Sequence, residues 1–391
     1  MQPSVQGLFE TAAGDYAADN LLRERRSLQP DHVPRVKHHG RSYLNFCSND
    51  YLGLAADSRI ASAMTEAVDH YGVGAGASQY ITGYMDIHAD LEHALAEFCG
   101  YEKALLFNCG YMANLGAITA LCNRDTSIHI DRLAHASLVD AAVLSRARIR
   151  RYGHNDPAAL KDGLINDATT RKLVITEGLF SMGGDHGDIA ALANMCRSHN
   201  ALLYLDDAHA FGVTGGDGRG SCSASGLTPD DVPIMMATFG KALGVGGAFV
   251  AGSAGLLETL LQKARSLIYT TAPPPGLAAA VLRALSIVRK EQWRRDKLQG
   301  LIDYWRRQVA EHDLPGGNSS SAIQPLILGA NDRALLASRA LYKRGFLVTA
   351  IRPPTVPAGS AQLRVTLTAA HDSVDIDRLI SALTEVVAPC H

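Results

Sequence analysis

The chain lacks a charge excess. Its 391 residues carry 37 Lys+Arg against 39 Asp+Glu, a formal net charge of −2. That near-balance leaves no overall electrostatic footprint for nucleic acid. It also lacks paired cysteines. Cys47, Cys99, Cys109, Cys122, Cys196, Cys222 and Cys390 are odd in number and form no C-x-x-C, which argues against a disulfide framework and against a structural zinc site. No metal is expected. The N-terminal MQPSVQGLFE has neither a basic start nor an apolar stretch, so no secretory signal is read there. The uncharged run Ala242 to Leu257 is broken by glycines and is short for a membrane span. The expected setting is therefore the reducing cytosol, away from a membrane. No fixed-period repeat and no low-complexity tract occurs.

What is present is material for a large core: 47% of residues are hydrophobic and only 19% are charged. The 36 glycines point to tight turns and close backbone approach to a ligand. Short apolar runs alternate with helical patterns. Leu105–Phe107, Lys172–Thr176, Ala201–Leu205, Val232–Thr238 and Gly247–Ala251 read as strands, and runs apolar on both faces suit a parallel sheet covered by helices. Helices are expected over Ile60–Tyr71, Met85–Phe98, Ile189–Cys196 and a long region Leu277–Val309. Ala322–Leu328, Phe346–Ile351 and Gln362–Thr368 read as strands of a smaller C-terminal unit. The expected fold class is α/β: a large domain with a mostly parallel central sheet, 46–290, and a smaller α+β domain, 291–391, preceded by an arm, 1–45.

Several motif-like strings fail on context. Gly72-x-Gly74-x-x-Ala77 follows a helix, not a strand, so it reads as a turn and not as a dinucleotide fingerprint. Phe239-Gly240-Lys241 lacks the first glycine and the final Ser/Thr of a phosphate loop. Gly178–Gly183 is one residue too long for a nucleophile elbow. His88-x-x-x-Glu92-His93 is one too long for a zinc-protease motif, and both histidines read as surface residues. Arg23–Arg26 (RERR) and Arg146–Arg151 (RARIRR) are basic enough to attract an acidic partner, against the plainer reading of solvated helix faces.

Four strand ends carry unusual polar groups: Asn108-Cys109-Gly110-Tyr111, Glu177-Gly178-Leu179-Phe180-Ser181, Asp206-Asp207-Ala208-His209 and Thr238-Phe239-Gly240-Lys241. Ligands in such sheets sit at the carboxyl ends of the strands. Each group alone is ordinary. Together they supply what pyridoxal 5'-phosphate requires: a lysine for a Schiff base, a carboxylate for the ring nitrogen, and N–H and hydroxyl donors for the phosphate.

At these residues the chain resembles the α-oxoamine synthases, a family of fold-type I pyridoxal-phosphate enzymes. The matching stretches are SNDYLGLA (48–55), DRLAHASLVDA (131–141), HND (154–156), TEGLFSMGGD (176–185), LDDAHAFGVTGGDGRGS (205–221), TFGKALGVGGA (238–248) and AIRPPTVPAGSAQLRVTLTAAH (350–371). The resemblance implies that Lys241 forms the Schiff base and removes the Cα proton. Asp206 pairs with the pyridinium nitrogen, His209 contacts the phenolic oxygen, and His135 stacks on the ring near the substrate. Glu177 and Ser181 line the cofactor or substrate channel. Gly110 and Tyr111 give N–H groups to the phosphate, and Thr238 a hydroxyl. Thr270 or Thr271 reaches the phosphate of a partner subunit in a homodimer. Arg364 with Asn49 holds the amino-acid carboxylate, Thr355 faces the acyl group, and Arg23 binds substrate from the N-terminal arm. The implied reaction is the decarboxylative condensation of an amino acid with an acyl thioester. The local wording favours L-alanine and a pimeloyl donor on coenzyme A or on an acyl carrier protein, with glycine and an acetyl thioester as the runner-up. Two departures stand out: Phe211 precedes Gly212 where relatives commonly have a small residue, and the string Gly74-Ala75-Gly76-Ala77-Ser78 has alanine at a position where glycine or serine is expected.

Overall fold

The computed structural model describes residues 5–9, 22 and 24–387. They form two compact units: residues 49–181 with 185–297, and the described residues before 49 with 182–184 and 298–387.

The larger unit is built on seven strands: β1 (Lys103–Phe107), β2 (Thr126–Asp131), β3 (Arg148–Tyr152), β4 (Arg171–Glu177), β5 (Leu202–Asp206), β6 (Ile234–Thr238) and β7 (Ala248–Gly252), in the order β1-β7-β6-β5-β4-β2-β3. Neighbours from β6 through β5, β4 and β2 to β3 are parallel, and β7 alone runs antiparallel to both β1 and β6. The pairings Glu177↔Asp206 and Asp206↔Met236 therefore bring the carboxyl ends of the parallel strands to one edge. The five strands read from sequence are observed with ends shifted by a residue or two.

Two strands escaped the sequence reading. β2 (TSIHID) is wholly buried although three of its residues are polar or charged beyond threonine. Its His129 is satisfied internally by Asp167 at 2.8 Å. β3 (RIRRY) is an edge strand with four exposed positions. It is thus an open sheet edge, and not a helix face, that carries the basic run. In the other basic run, residues 24–26 are exposed and non-helical, while Arg23 lies outside the described residues.

Helices α2 (Asp86–Cys99) and α3 (Gly110–Leu121) pack on the sheet, α4 (Ala136–Ser145) lies against α3, and α1 (Ser58–Tyr71) and α5 (Pro275–Lys290) pack on each other. The long helical region expected over Leu277–Val309 is two helices, α5 and Gln292–Glu311, because Glu291 leaves the helical conformation and binds Arg59 and Arg294. His88 corrects another expectation. It is 1% exposed, its Nδ1 accepts the Met85 N–H at 3.0 Å at the start of α2, and its Nε2 lies 2.9 Å from the Pro273 carbonyl oxygen; His93 is exposed as expected. The Gly72–Ser78 string is a turn leading into a π-helical turn at Gln79–Gly83.

The departure at Phe211 has a packing reason. Its ring is buried edge-on between Phe98 and Phe249, with centroids at 5.8 and 5.1 Å.

In the smaller unit, strands 35–38 and 41–45 form a hairpin, and Phe346–Leu347 adds in parallel beside Leu44 and Asn45. The segment read as an arm is thus in part a sheet of this unit. A second, antiparallel sheet orders strand 323–329, strand 361–366 and strand 349–351. Helices Asn331–Lys343 and Ser373–Val387 belong with it. No described helix is long and apolar enough to cross a membrane.

Gly244 closes the turn after Lys241 with φ of +68°, and a Cβ there would lie 2.3 Å from the Ala55 nitrogen. Gly244→Ala should therefore lose about 2–4 kcal/mol of stability through strain and overpacking. A thermal unfolding midpoint equal to that of the parent would contradict this.

Candidate active site

The functional side chains occupy the carboxyl edge of the large sheet. Asp206 ends β5 and is 5% exposed. Its Oδ2 accepts the Asn114 amide N–H at 2.8 Å, and its Oδ1 accepts the Ala208 backbone N–H at 3.0 Å. Asn114, on α3, is fixed in turn: the Tyr204 hydroxyl donates to its Oδ1 at 2.8 Å, and its Nδ2 also reaches Ser137 Oγ at 2.9 Å. Both donors to Asp206 are neutral. A buried carboxylate held by neutral donors is costly unless a cation completes it.

His135 is the N-cap of α4. Its Nδ1 accepts the Ser137 N–H at 3.3 Å and lies 2.8 Å from Ser137 Oγ, so the neutral ring carries its proton on Nε2. Its own backbone N–H donates to Glu177 Oε1 at 2.6 Å. Desolvation holds the His135 imidazolium below its usual range, and the Lys241 ammonium adds to this while the Asp206 charge opposes it. The Glu177 carboxyl, fully buried at the end of β4, is pushed up by burial and by the Asp206 charge, against the His135 N–H and Lys241.

Lys241 is half-buried in the loop from β6 to β7. That loop is pinned by Phe239 N–H to the Gly247 carbonyl, Val245 N–H to the Phe239 carbonyl and Gly244 N–H to the Lys241 carbonyl, each at 2.9 Å. His209 is buried, and its Nδ1 lies 2.6 Å from the Tyr51 hydroxyl. Tyr51 Oη is also 3.4 Å from Asn49 Oδ1.

Gly110 opens α3 directly after β1. The N-cap Cys109 contributes no side-chain acceptor to the first turn. A Cβ on Gly110 would lie 3.8 Å from the Thr238 Cβ, so the helix start and Thr238 are neighbours. The Thr238 hydroxyl donates to the Gly247 carbonyl at 2.9 Å. Tyr111 is exposed, and its hydroxyl donates to Asp140. Asn108 joins Thr270 and Thr271 of its own chain to this edge: its Nδ2 donates to Thr270 Oγ1 at 3.2 Å and to the Thr271 carbonyl at 2.9 Å. Ser181 is half-buried in the loop after β4.

Two expected substrate residues belong to the smaller unit. Arg364 is buried on strand 361–366 and donates to Thr366 Oγ1 at 3.1 Å. Thr355 is exposed, with its N–H on the Arg352 carbonyl at 3.1 Å. Arg23 lies outside the described residues.

The residues of the large unit fit pyridoxal phosphate. Asp206 offers a buried carboxylate, held by neutral donors, for a protonated ring nitrogen; the uncapped start of α3 offers N–H groups to a phosphate; and Lys241 stands on the same edge. Asn114 and Tyr51 were not foreseen. Asn114 sits in an otherwise apolar Ala/Leu helix, which is the one signal that could have flagged it.

The HND string also gains a role. His154 Nδ1 lies 3.0 Å from Asp131 Oδ1 and its Nε2 lies 2.9 Å from Asp185 Oδ2. Asn155 N–H donates to Asp131 Oδ2 at 2.8 Å, its Nδ2 donates to the His186 carbonyl at 2.9 Å, and its Oδ1 accepts the Asp188 N–H at 2.8 Å. Asp156 caps the helix Pro157–Ile165. The string staples the turn that carries His135 to the far end of the loop that carries Ser181.

The fold and this site define a pyridoxal-phosphate transferase of fold type I, and the comparisons agree. Residues 41–383 match the model of aminotransferase class I and II, and the chain belongs to that family. Its relatives narrow the class. The chain is 48% identical over 379 residues to the 8-amino-7-oxononanoate synthase of Pseudomonas putida KT2440, covering 96% of this chain and 97% of the relative. It is 47% identical over 386 residues to that of Saccharophagus degradans, with 98% and 97% covered. Among solved structures, a serine palmitoyltransferase from S. paucimobilis with a bound PLP–myriocin aldimine superposes with a TM-score of 0.92 at 26% identity, covering 98% of both chains. The 8-amino-7-oxononanoate synthase of Francisella tularensis gives a TM-score of 0.78 at 30% identity, with 88% of this chain and 98% of the other covered.

Burial works against a charged His154, but the two carboxylates outweigh it and raise the group from 6.5 to about 9. The raised folded value means that the stabilisation is full below pH 6.5 and is lost as pH rises through about 9. His154→Gln should therefore cost about 2–3 kcal/mol at pH 6 and little at pH 10. Urea unfolding at both pH values checks this; a cost that is the same at the two would refute the charged clamp.

Proposed function

We propose that this chain condenses L-alanine with a pimeloyl thioester, giving 8-amino-7-oxononanoate, CO2 and free thiol, a step of biotin synthesis. The observation that carries the reading is the 47–48% identity, over almost the whole chain, to enzymes of that name. The pyridoxal-phosphate class sets the cofactor, which when bound supplies the electron sink for breaking bonds at the substrate Cα.

The chain's own residues then divide the work. Lys241 would hold the cofactor through its amine and, with the amino acid bound, would take and return the proton at Cα. Asp206 keeps the ring nitrogen protonated, with Asn114 and Ala208 fixing the carboxylate. His209, oriented by Tyr51, would hydrogen-bond the phenolic oxygen of the cofactor. Gly110 and Tyr111 N–H groups and the Thr238 hydroxyl hold the phosphate, and Thr270 or Thr271 is supplied across a homodimer. His135 covers the ring face. With Nδ1 committed to Ser137, its Nε2–H is the donor for the thioester oxygen as charge develops there. Glu177, whose carboxyl burial pushes up, supports the His135 backbone through Oε1, and Ser181 borders the channel. Arg364 clamps the amino-acid carboxylate with its planar fork, helped by Asn49. Thr355 faces the acyl group, and Arg23 is the substrate-binding arginine of the N-terminal segment. A cytosolic location is part of this reading.

Thiol release by the cofactor-loaded protein tests the substrates. It is expected with L-alanine and a pimeloyl thioester, and not with glycine and acetyl-CoA or serine and palmitoyl-CoA; the reverse pattern would replace the reading. Lys241→Ala should abolish the visible absorbance of the lysine-bound cofactor. Asp206→Asn should keep that absorbance but cut turnover by about 100-fold or more, as removal of a principal electrostatic group does. Near-normal turnover would place the electron-sink control elsewhere.

A further inference from the structure

Three polar side chains, each at most 1% exposed, join Asp206 to His135: Tyr204 on β5, Asn114 on α3 and Ser137 in the first turn of α4. Tyr204 and Asp206 stand two residues apart on β5 and so share one face of the strand. The Asn114 amide spans that face. Its Nδ2 donates to Asp206 Oδ2 at 2.8 Å, and its Oδ1 accepts from the Tyr204 hydroxyl at 2.8 Å. The same Nδ2 donates to Ser137 Oγ at 2.9 Å, and Ser137 Oγ lies 2.8 Å from His135 Nδ1.

One group sets the direction of every bond in this chain. A carboxylate only accepts hydrogen bonds, so the nitrogen of the Asn114 amide must face Asp206 and its oxygen must face Tyr204. Ser137 Oγ then already receives an N–H. Its own proton, shut off from water, has His135 Nδ1 as its acceptor. The backbone N–H of Ser137 donates to the same nitrogen at 3.3 Å. Nδ1 therefore accepts twice, and the imidazole proton stands on Nε2. Histidine is an unusual residue for a helix N-cap, where Ser, Thr, Asp and Asn are preferred. It can serve at the start of α4 only with a bare ring nitrogen, which this arrangement supplies.

The charged groups around the ring pull in both directions. Asp206 at the end of β5 and Asp140 on α4 favour the imidazolium, while Lys241 in the loop after β6 and desolvation oppose it. Glu177, at the end of β4, holds the His135 backbone N–H. A proton on Nδ1 would have to displace both Ser137 donors. The hydroxyl can rotate away, but the backbone N–H is fixed by the helix.

We propose that Ser137 and Asn114, the latter backed by Tyr204, are positioning residues that relay the charge of Asp206 across three hydrogen bonds to His135 and so fix which ring nitrogen donates. The proposal rests on the condensation reading above only for what the Nε2–H meets, the thioester oxygen. It carries a consequence for a distant substitution. In Asp206→Asn the Ala208 N–H keeps the amide oxygen on its own side, so the new amide nitrogen faces Asn114. Asn114 then turns over to present Oδ1. Ser137 donates to that oxygen in place of His135, and its Oγ is left as an acceptor beside Nδ1. The relay reverses, and the imidazole proton is drawn toward Nδ1.

The test uses the cofactor-loaded enzyme with histidine isotope-labelled at both ring nitrogens for NMR. Among the 15 histidines, the His135 signals are identified by their loss in His135→Gln. The parent is expected to show a bare Nδ1 and a protonated Nε2 from about pH 6 to about pH 9. Ser137→Ala should keep the visible absorbance of the bound cofactor and give a mixture of the two tautomers, with the His135 titration moved up by about one pH unit. Its kcat should fall by about tenfold or more while KM for L-alanine stays within about twofold. Ser137→Thr, which keeps a hydroxyl, should restore the Nε2–H form. Asp206→Asn should move the proton toward Nδ1, although the change lies three hydrogen bonds from the imidazole. An Nδ1–H form in the parent, or an unchanged Nε2–H form in either Ser137→Ala or Asp206→Asn, overturns the proposal. Should Ser137→Ala fail to hold the cofactor, Asp206→Asn decides by itself. A changed tautomer with unchanged kcat in Ser137→Ala leaves the relay standing and removes the thioester role of His135.

Discussion

A single buried carboxylate, Asp206, fixes the geometry of this molecule's chemical edge. Its two oxygens are held by neutral donors, the Asn114 amide and the Ala208 N–H. Those two donors tie three elements together. Asn114 brings α3 to the end of β5, and through Ser137 it brings α4 as well. The start of α3, where a phosphate would rest, and the start of α4, where His135 stands, are therefore positioned by the same amide. The parallel strand order does the rest by delivering Glu177, Asp206 and Thr238 to one side.

Around that fixed point the charges are arranged so that few are left unopposed. Desolvation lowers the His135 imidazolium from its usual range and burial pushes the Glu177 carboxyl up, with Lys241 and Asp206 acting on both. The second concentration of charge lies just outside, where a protonated His154 spans Asp131 and Asp185. It is a structural ion triad whose Asp131 end is buried and whose Asp185 end reaches solvent, and Asp131 also accepts the backbone N–H groups of Leu133 and Asn155.

The sequence made the sheet legible wherever a strand was apolar on both faces, as in KLVIT and ALLYL. It concealed β2, whose Ser127, His129 and Asp131 are buried because they find partners inside the fold, and β3, whose arginines look like a helix face until the strand is placed at the edge. The reactive residues were legible because strand ends collect polar groups in this fold class, and the family resemblance assigned their roles. Their supports were not. Asn114 is 92 residues from Asp206, and Tyr51 is 158 residues from His209, so neither pairing has any local signature. His88 misled because an amphipathic pattern cannot tell an exposed histidine from one that caps its own helix. The break at Glu291 was hidden because two arginines supply its reason, one of them far back in the chain at Arg59.

The lone antiparallel strand bears on how such a chain can change in length. In a parallel sheet a loop between consecutive strands is buffered by a crossover helix, which can absorb an inserted or deleted residue. The segment bearing Lys241 has no such buffer. It runs from β6 straight into β7, with Thr238 facing Ala248 across the pair and Phe239 bonded to Gly247 within the turn. One residue more or less there would turn the lysine to the opposite side of the strand end or slip the register of both strands. Length variation among descendants of this chain should therefore collect in other loops and spare residues 239–247 altogether.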